Sequence, residues 1–494
     1  MNSSPIITAL FLFFTLIGSS QNILVSDQRG SCEPSIKIDP SDPSRMMVGV
    51  ILDQGLSSTD GGLTWKHDKL MSSYGVWGDP VIDADADGRF YYFHLSNPPD
   101  GHWIDRIVCQ RSEDMGETWT DGSFAGLNEE KQQDKHWSVI DQRTGHIYLT
   151  WTEFDTYGIS SPTCFSRIRF SKSVDHGTSW SDAITISETL GNCEDSDETT
   201  EGAVPAVGPD GELYVCWANA KGLAFTSSED DGLTWSKEKI IDTMPGGWDM
   251  DVPGIYRCNG MPITKVDVSN GPDRGSIYIT WADQRKGLQD TDIWIMSSRD
   301  GGSSWSKPMR VNNDVPGKHQ FFPWMDVDQS NGDVHVVFYD RRNHEDNHTD
   351  VYLGRSTDGG RSFLNLPISE SPFFPRRDVF FGDYTNISAV NGVVRPVWTR
   401  MDEGNLSVWT DLSEKRWSTE MVELKLEFDA PSTKVLCLEV MPPDGKIEKL
   451  FKKRFSIGYQ THVYLWEPEE ELRGLYQFRL RRKKSVLWRH EQKW

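Results

Sequence analysis

"SSTDGGLTW", residues 57–65, sets out a spaced pattern in which Ser58, Asp60, Gly62, Thr64 and Trp65 read S-x-D-x-G-x-T-W. Alone it fits a metal loop, a tight turn or a catalytic acid. It is not alone. "SEDMGETW" follows at 112–119, "SVDHGTSW" at 173–180, "SEDDGLTW" at 228–235, "SRDGGSSW" at 298–305 and "STDGGRSF" at 356–363. Six copies spaced 54 to 70 residues apart are the punctuation of a repeat protein, and that period points to a propeller. Asp and Ser bond turn backbone, Gly supplies positive φ, and the closing aromatic packs under the blade. All six acids therefore read as structural.

Between these turns a second pattern recurs. Seven apolar segments, "EPSIKID" (33–39), "DPVIDAD" (79–85), "HWSVID" (136–141), "VPAVG" (204–208), "MPITKVD" (261–267), "FPWMDVD" (322–328) and "DYTNISA" (383–389), read as first strands. Aromatic-rich second strands follow, among them "HIYLTWT", "ELYVCWA" and "SIYITWA". Short alternating strands with turn signals between them are an all-β signature. Seven first strands against six turns leave the last unit, 381–412, without an outer strand. "NILVS" (22–26) supplies it by pairing chain start with chain end, which removes exposed edges. The expectation is an all-β, seven-bladed β-propeller, with six blades as the alternative, followed by a small C-terminal β-sandwich domain.

Composition sets the address. An apolar run from Ile6 to Gly18 ends in small residues and is too short to span a bilayer, so residues 1–20 read as a signal peptide. No later stretch is apolar enough for a transmembrane segment. The expected product is secreted: extracellular, periplasmic or cell-surface, and a monomer. Net charge is −23, which argues against nucleic acid as partner. From Ser413 onward 17 Lys and Arg face 13 acids, so the tail is +4 while residues 1–412 carry −27. That shift divides a propeller at 21–412 from a domain at 413–494, where two-residue alternation surrounds a P-D-G turn. Seven Cys give no dense framework, but Cys164 and Cys193 could pair, and Cys216 reads as a buried strand residue. No cofactor and no metal are expected. "DADADG" (83–88) has calcium-like oxygens, yet His94 stands where a bidentate Glu is required, so a hairpin turn is the reading and structural calcium the alternative.

If the six turns share one end of the ring, a ligand site belongs at the other end, where first strands begin and second strands finish. First-strand starts offer Glu33, Asp79, Lys135, His136, Glu201, Asp383 and Tyr384; second-strand ends offer Glu153, Asp283, Arg285, Asp340, Arg342, Arg400 and Asp402. Carboxyls, guanidinium groups and flat rings together suit a sugar, so the expected partner is a glycan or polysaccharide. "WADQR" and "FYDRR" also fit local Asp–Arg bridges that brace each loop. Trp248, in the insertion "GGWDMDVPGIYRCNG", is the platform candidate because it stands outside the repeats.

The six turns resemble the Asp-boxes, or bacterial neuraminidase repeats, of the sialidase superfamily over residues 31 to about 412. The stretches "ADQR…DTDIWIMSSRDGGSSW" and "YDRRNHEDNHTDVYLGRSTDGGRSF" look like its secreted bacterial, exo-sialidase-like branch. Residues 413–494 loosely resemble β-sandwich domains that sort secreted proteins of gliding bacteria. The sialidase resemblance implies an Arg triad on a carboxylate, a Tyr nucleophile with a Glu base, and an Asp acid. Carried onto this chain, it implies Arg285, Arg342 and Arg400 as clamp, Tyr384 as nucleophile, Glu153 as base and Asp340 or Asp79 as acid. The pattern departs at "CEPSIKI", where Glu33 stands near the expected first Arg. The implied function is an exo-acting glycoside hydrolase of sialidase-like type on an acidic or complex glycan. The alternatives are a non-catalytic glycan-binding or adhesion propeller and a uronate polysaccharide lyase built on His136, Tyr384 and Arg285.

Overall fold

The computed structural model describes residues 22–412 and, beyond them, the strands at 12–14 and between 422 and 493. It divides into two units, Gln21–Ser413 and a second formed by Met1–Ser20 with Glu414–Trp494. In the second unit Leu12–Phe14, Val422–Ala430 and Gly458–Trp466 form a three-stranded antiparallel sheet, and four further strands form another. Apart from Leu12–Phe14, the expected signal peptide lies outside the described residues, as does the P-D-G turn at 443–445.

The first unit is a ring of seven four-stranded antiparallel sheets, each strand paired with its neighbour in sequence except where the seventh sheet takes up Asn22–Ser26. The inner strands are Ser35–Ile38, Val81–Ala84, Gln132–Ile140, Glu201–Val207, Ile263–Val266, Gln320–Asp328 and Asn386–Val390. Second strands are covered on both faces by adjacent blades, which is why Leu213–Asn219 and Ile277–Asp283 are buried at every position instead of alternating. Trp151, Trp217, Trp281 and Trp398 are the largest of these buried rings.

The ring closes through its first described residues. Asn22–Ser26 adds to the edge of the seventh blade, with Asn22 opposite Asp411 and Leu24 opposite Trp409. Val25 thereby enters a core with Ile36, Val48, Val397 and Val408, joining the first blade to the last. Seven blades, not six, follow from this pairing.

Each of the six S-x-D-x-G turns joins a third strand to a fourth, so all lie at the end of the ring where inner strands finish. In the first, Ser58 Oγ accepts the Gly62 N–H at 2.9 Å and donates to Asp60 Oδ1 at 2.8 Å. Asp60 in turn accepts the Thr64 N–H and hydroxyl at 3.0 and 2.6 Å. The same bonds recur at Asp114, Asp175, Asp230, Asp300 and Asp358. Gly62, at φ +87°, takes a conformation that a side chain would strain. The acids serve their own turns.

Candidate active site at the starts of the inner strands

The two ends of the ring differ in how their polar groups are satisfied. At the end where inner strands finish, a cavity of about 540 Å³ is lined by Val139, Val207, Val266 and Val390 together with charged side chains. Those charges are paired: Lys37 with Asp83 at 2.9 Å and Lys265 with Asp326 at 3.3 Å. None of its described lining residues has a buried side-chain N or O without a partner. At the opposite end, Asp79, His136, Glu201 and Tyr384 all have such atoms. Buried polar groups are normally bonded, so a concentration of exceptions marks a place built for something else.

Backbone strain puts these side chains there. Glu33, Asp79 and Lys135, at the starts of the first three inner strands, have φ of 52°, 49° and 48°. Non-glycine residues held there cost about 1–3 kcal/mol each and persist where surrounding structure demands them. The inner strands beginning at Gln132, Glu201 and Gln320 also carry a register irregularity near their starts. The distortion turns the first residues away from ladder geometry.

Charge converges on this end. Lys135 Nζ lies 3.1 Å from Asp383, 3.6 Å from Asp79 and 3.7 Å from Asp134. Arg257 forks onto both oxygens of Asp383 and reaches Asp195 at 2.6 Å. Asp195 also accepts the Tyr157 hydroxyl at 2.6 Å and Trp248 Nε1 at 2.8 Å. Glu33 Oε1 accepts the Asp383 N–H at 3.1 Å. Trp137 packs against Trp324 and edge-on to Tyr384, with centroids 4.2 and 5.1 Å away. A small pocket of about 10 Å³ is lined by Asp195, Trp248, Asp249, Arg257, Asn259 and Asp383.

The carboxyls are not in one protonation state. Burial, reinforced by Asp79 and Asp383, pushes Glu33 well above the usual carboxylate range. Burial does the same to Glu201, and Asp195 adds to it. Burial raises Asp134 to about 7 even though Lys135 opposes it. Asp383 goes the other way: burial disfavours its charge, but Arg257 and Lys135 outweigh that and hold it at about 2. His136, deep in the same cluster, is pushed down to about 4 by burial and stays neutral near pH 7.

The expected residues divide by location. Asp79, His136 and Tyr384 come together here. Tyr384 Oη has no partner, and the first carboxyl whose charge it feels is Glu33, not Glu153. Glu153 instead sits in a local network with Arg167 at 3.3 Å, Lys131 at 3.7 Å and Asn128 at 2.8 Å. Asp340 bonds Arg342 at 2.6 Å, Asp283 bonds Arg285 at 2.6 Å and Asp402 bonds Arg400 at 2.5 Å. Each guanidinium also covers an aromatic ring, Arg342 over Tyr352 at 4.1 Å. The three arginines share no bonding partner. Trp248 is buried, its ring on the Gly202 backbone, where an added Cβ would meet it at 2.7 Å. At "DADADG", Asp85 accepts the N–H groups of Asp87 and Arg89, and all three acids are ion-paired, as a hairpin requires.

Arg257, Asp195, Asp134 and Tyr157 were not singled out from sequence. Arg257 lies in the same insertion as Trp248. Asp195 follows Cys193, which forms a disulfide with Cys164. Non-repeat loops carry both, and that was the available signal.

Around this end the loops expose Trp77, Trp103, Tyr256 and Phe374, each between 39 and 57 % accessible. Among the described residues no group of three or more His, Cys, Asp or Glu is arranged to hold a metal ion. Among the same residues no helix is long and apolar enough to cross a membrane.

No family model and no curated relative matches the chain. Several solved structures are similar to it. The Hadza microbial sialidase Hz136 is 14 % identical, over 74 % of this chain and 73 % of its own, with a TM-score of 0.42. The NanB sialidase from Streptococcus pneumoniae is 11 % identical over 83 % and 99 %, at 0.46. A PL25 ulvan lyase bound to -[GlcA(1-4)Rha3S]- is 13 % identical over 78 % and 95 %, at 0.47. The chain is thus similar to sialidases and other carbohydrate-cleaving propellers, and its site rests on its own geometry.

Proposed function

We propose that this chain is a glycan-cleaving propeller, a glycoside hydrolase of sialidase-like type acting on a complex glycan at the starts of its inner strands. One observation carries the reading: neighbouring carboxyls held in opposite protonation states around Lys135 and Arg257. Glycoside hydrolysis needs one carboxyl to give a proton to the leaving oxygen and another, ionised, to attack or to activate water. Environments that separate two such groups assign their roles.

Glu33 is the proton donor, kept neutral by burial and by the field of Asp79 and Asp383. Asp79 is the second carboxyl, at the start of the adjacent inner strand, with one oxygen unbonded and the Lys135 ammonium beside it. Asp383 holds Lys135 and Arg257 in place as a fixed anion. Tyr384, with its unpartnered hydroxyl, donates to the sugar. The exposed rings at the rim offer stacking surfaces. Export belongs to the same proposal and is supported by the Cys164–Cys193 disulfide, a bond that persists in oxidising compartments.

The test is incubation of the purified protein with a panel of neutral, amino and acidic oligosaccharides. Release of reducing ends is expected. Unsaturated products would point to a lyase, and binding without turnover to an adhesion propeller; either replaces the proposal.

A further inference from the structure

Strand register in the second unit sorts its residues into two unlike faces. The four-stranded antiparallel sheet there runs, in spatial order, Glu448–Phe455, Lys434–Met441, Leu475–Arg482 and Ser485–Lys493. Residues opposite one another in such a sheet share a face, and the next position along takes the other face. Leu438 stands opposite Phe451 and Leu480, Leu480 opposite Trp488, and Val440 opposite Phe478. That face is apolar.

The other face is basic. Cys437 stands opposite Lys452 and Arg481. Two residues on, Glu439 stands opposite Lys449 and Arg479, and Arg479 opposite Arg489. Strands about 4.8 Å apart and a two-residue step of about 7 Å put these five cationic residues within about 16 Å of one another. Arg454, opposite Val435, and Lys493, opposite Leu475, extend the face at its two ends. Glu439 and Glu491 are its acids, so seven cationic residues meet two, in a chain whose net charge is −23. Like charges directly opposite, as at Arg479 and Arg489, destabilise a sheet, and a bound polyanion offsets that repulsion.

The pattern also discriminates between partners. Surfaces that enter a membrane set rings among their cations, but here Phe451, Phe478 and Trp488 take the opposite face. Rows of cations on a sheet suit an extended chain that repeats its anions. We infer that this face binds an acidic polysaccharide, a polymer repeating carboxylate or sulfate groups. The inference stands on the second unit alone and does not depend on the hydrolase reading.

The measurement is calorimetric titration of the full-length protein with heparin, polygalacturonate and uncharged dextran. It is run at about 0.1 M and about 1 M salt, where charges are screened beyond about 10 and 3 Å. An acidic polymer should bind at least about 10-fold more tightly than dextran at the lower salt and lose that advantage at the higher. Arg479→Gln/Arg481→Gln should weaken it at least about 10-fold. Lys66→Gln/Lys69→Gln, on an exposed outer strand of the first blade, removes the same charge and should change it less than about twofold. Lys449→Gln/Lys452→Gln, on an edge strand of the sheet, tests the same face if the first variant fails to fold. No preference over dextran overturns the inference, as does an equal loss in the blade variant. Tighter binding of single-stranded DNA or of phosphatidylglycerol vesicles also overturns it. Reducing-end release, measured separately, judges the hydrolase reading, and its absence leaves this result as it stands.

Discussion

Lys135 and Asp383 open the inner strands of the third and seventh blades, yet they meet with nitrogen and oxygen 3.1 Å apart. Residues 248 positions apart in the chain are joined only because the ring closes. The contact is buried on both sides and places one ammonium among three carboxyl groups. Removing one partner of a buried charge pair leaves the other uncompensated, which costs about 3–5 kcal/mol. Lys135→Met should therefore lower stability by that amount in urea titration, and should abolish glycan cleavage.

Four buried histidines make the ring sensitive to mild acid. Burial pushes His94, His136 and His319 down to about 4 and His335 to about 3, from an ordinary value near 6.5. The unfolded chain then binds more protons than the folded one below pH 6.5. Stability is complete above that pH and declines as pH falls toward 4. His335 is remote from the proposed site, on a second strand of the sixth blade. His335→Gln should flatten the decline by about one proton, read as the slope of unfolding free energy against pH between 6.5 and 4.

The Cys164–Cys193 disulfide closes a loop with a sequence separation of 29 and ends two residues before Asp195. By chain entropy, losing it should cost about 3–4 kcal/mol. Because Asp195 holds Arg257, the double variant Cys164→Ser/Cys193→Ser should also weaken glycan binding more than a remote change of equal cost. Calorimetric titration beside thermal unfolding separates the two effects.

The closing strand is a fourth independent handle. Removing residues 22–26 exposes the edge of the last blade and the core around Val25. The truncated protein should unfold at markedly lower denaturant and associate through the open edge, visible by light scattering.

The architecture was legible because a propeller repeats itself. The six Asp and Gly turns, the Pro-led inner strands and "NILVS" each answer to local chemistry that recurs or completes a recurrence. The end of the ring holding the cluster was legible for the same reason, since turns between third and fourth strands must lie opposite the inner-strand starts. What failed to show was partnership. Arg285, Arg342 and Arg400 each stand two residues from an Asp, and that local bridge binds them before any distant ligand can. Glu153 faces Arg167 in strand register, a pairing invisible without the register. Arg257 reaches the centre from a non-repeating loop, so no periodicity announces it. Sequence lists the groups at the mouth of a ring, but three-dimensional closure decides which of them touch.

The central claim is that chemistry belongs to the inner-strand starts and the repeated turns only build the blades. The most direct measurement compares initial rates of reducing-end release by wild type, Asp79→Asn and Asp300→Ala on whichever panel oligosaccharide is cleaved. Asp300 is a turn acid at the far end, accepting the Ser304 N–H and hydroxyl. Asp300→Ala should lower the unfolding midpoint by a few degrees and keep its rate within about twofold, while Asp79→Asn should keep its fold and lose about 10³-fold or more in rate, about 4 kcal/mol of barrier. An Asp79→Asn protein that cleaves like wild type, or an inactive but folded Asp300→Ala, would contradict it.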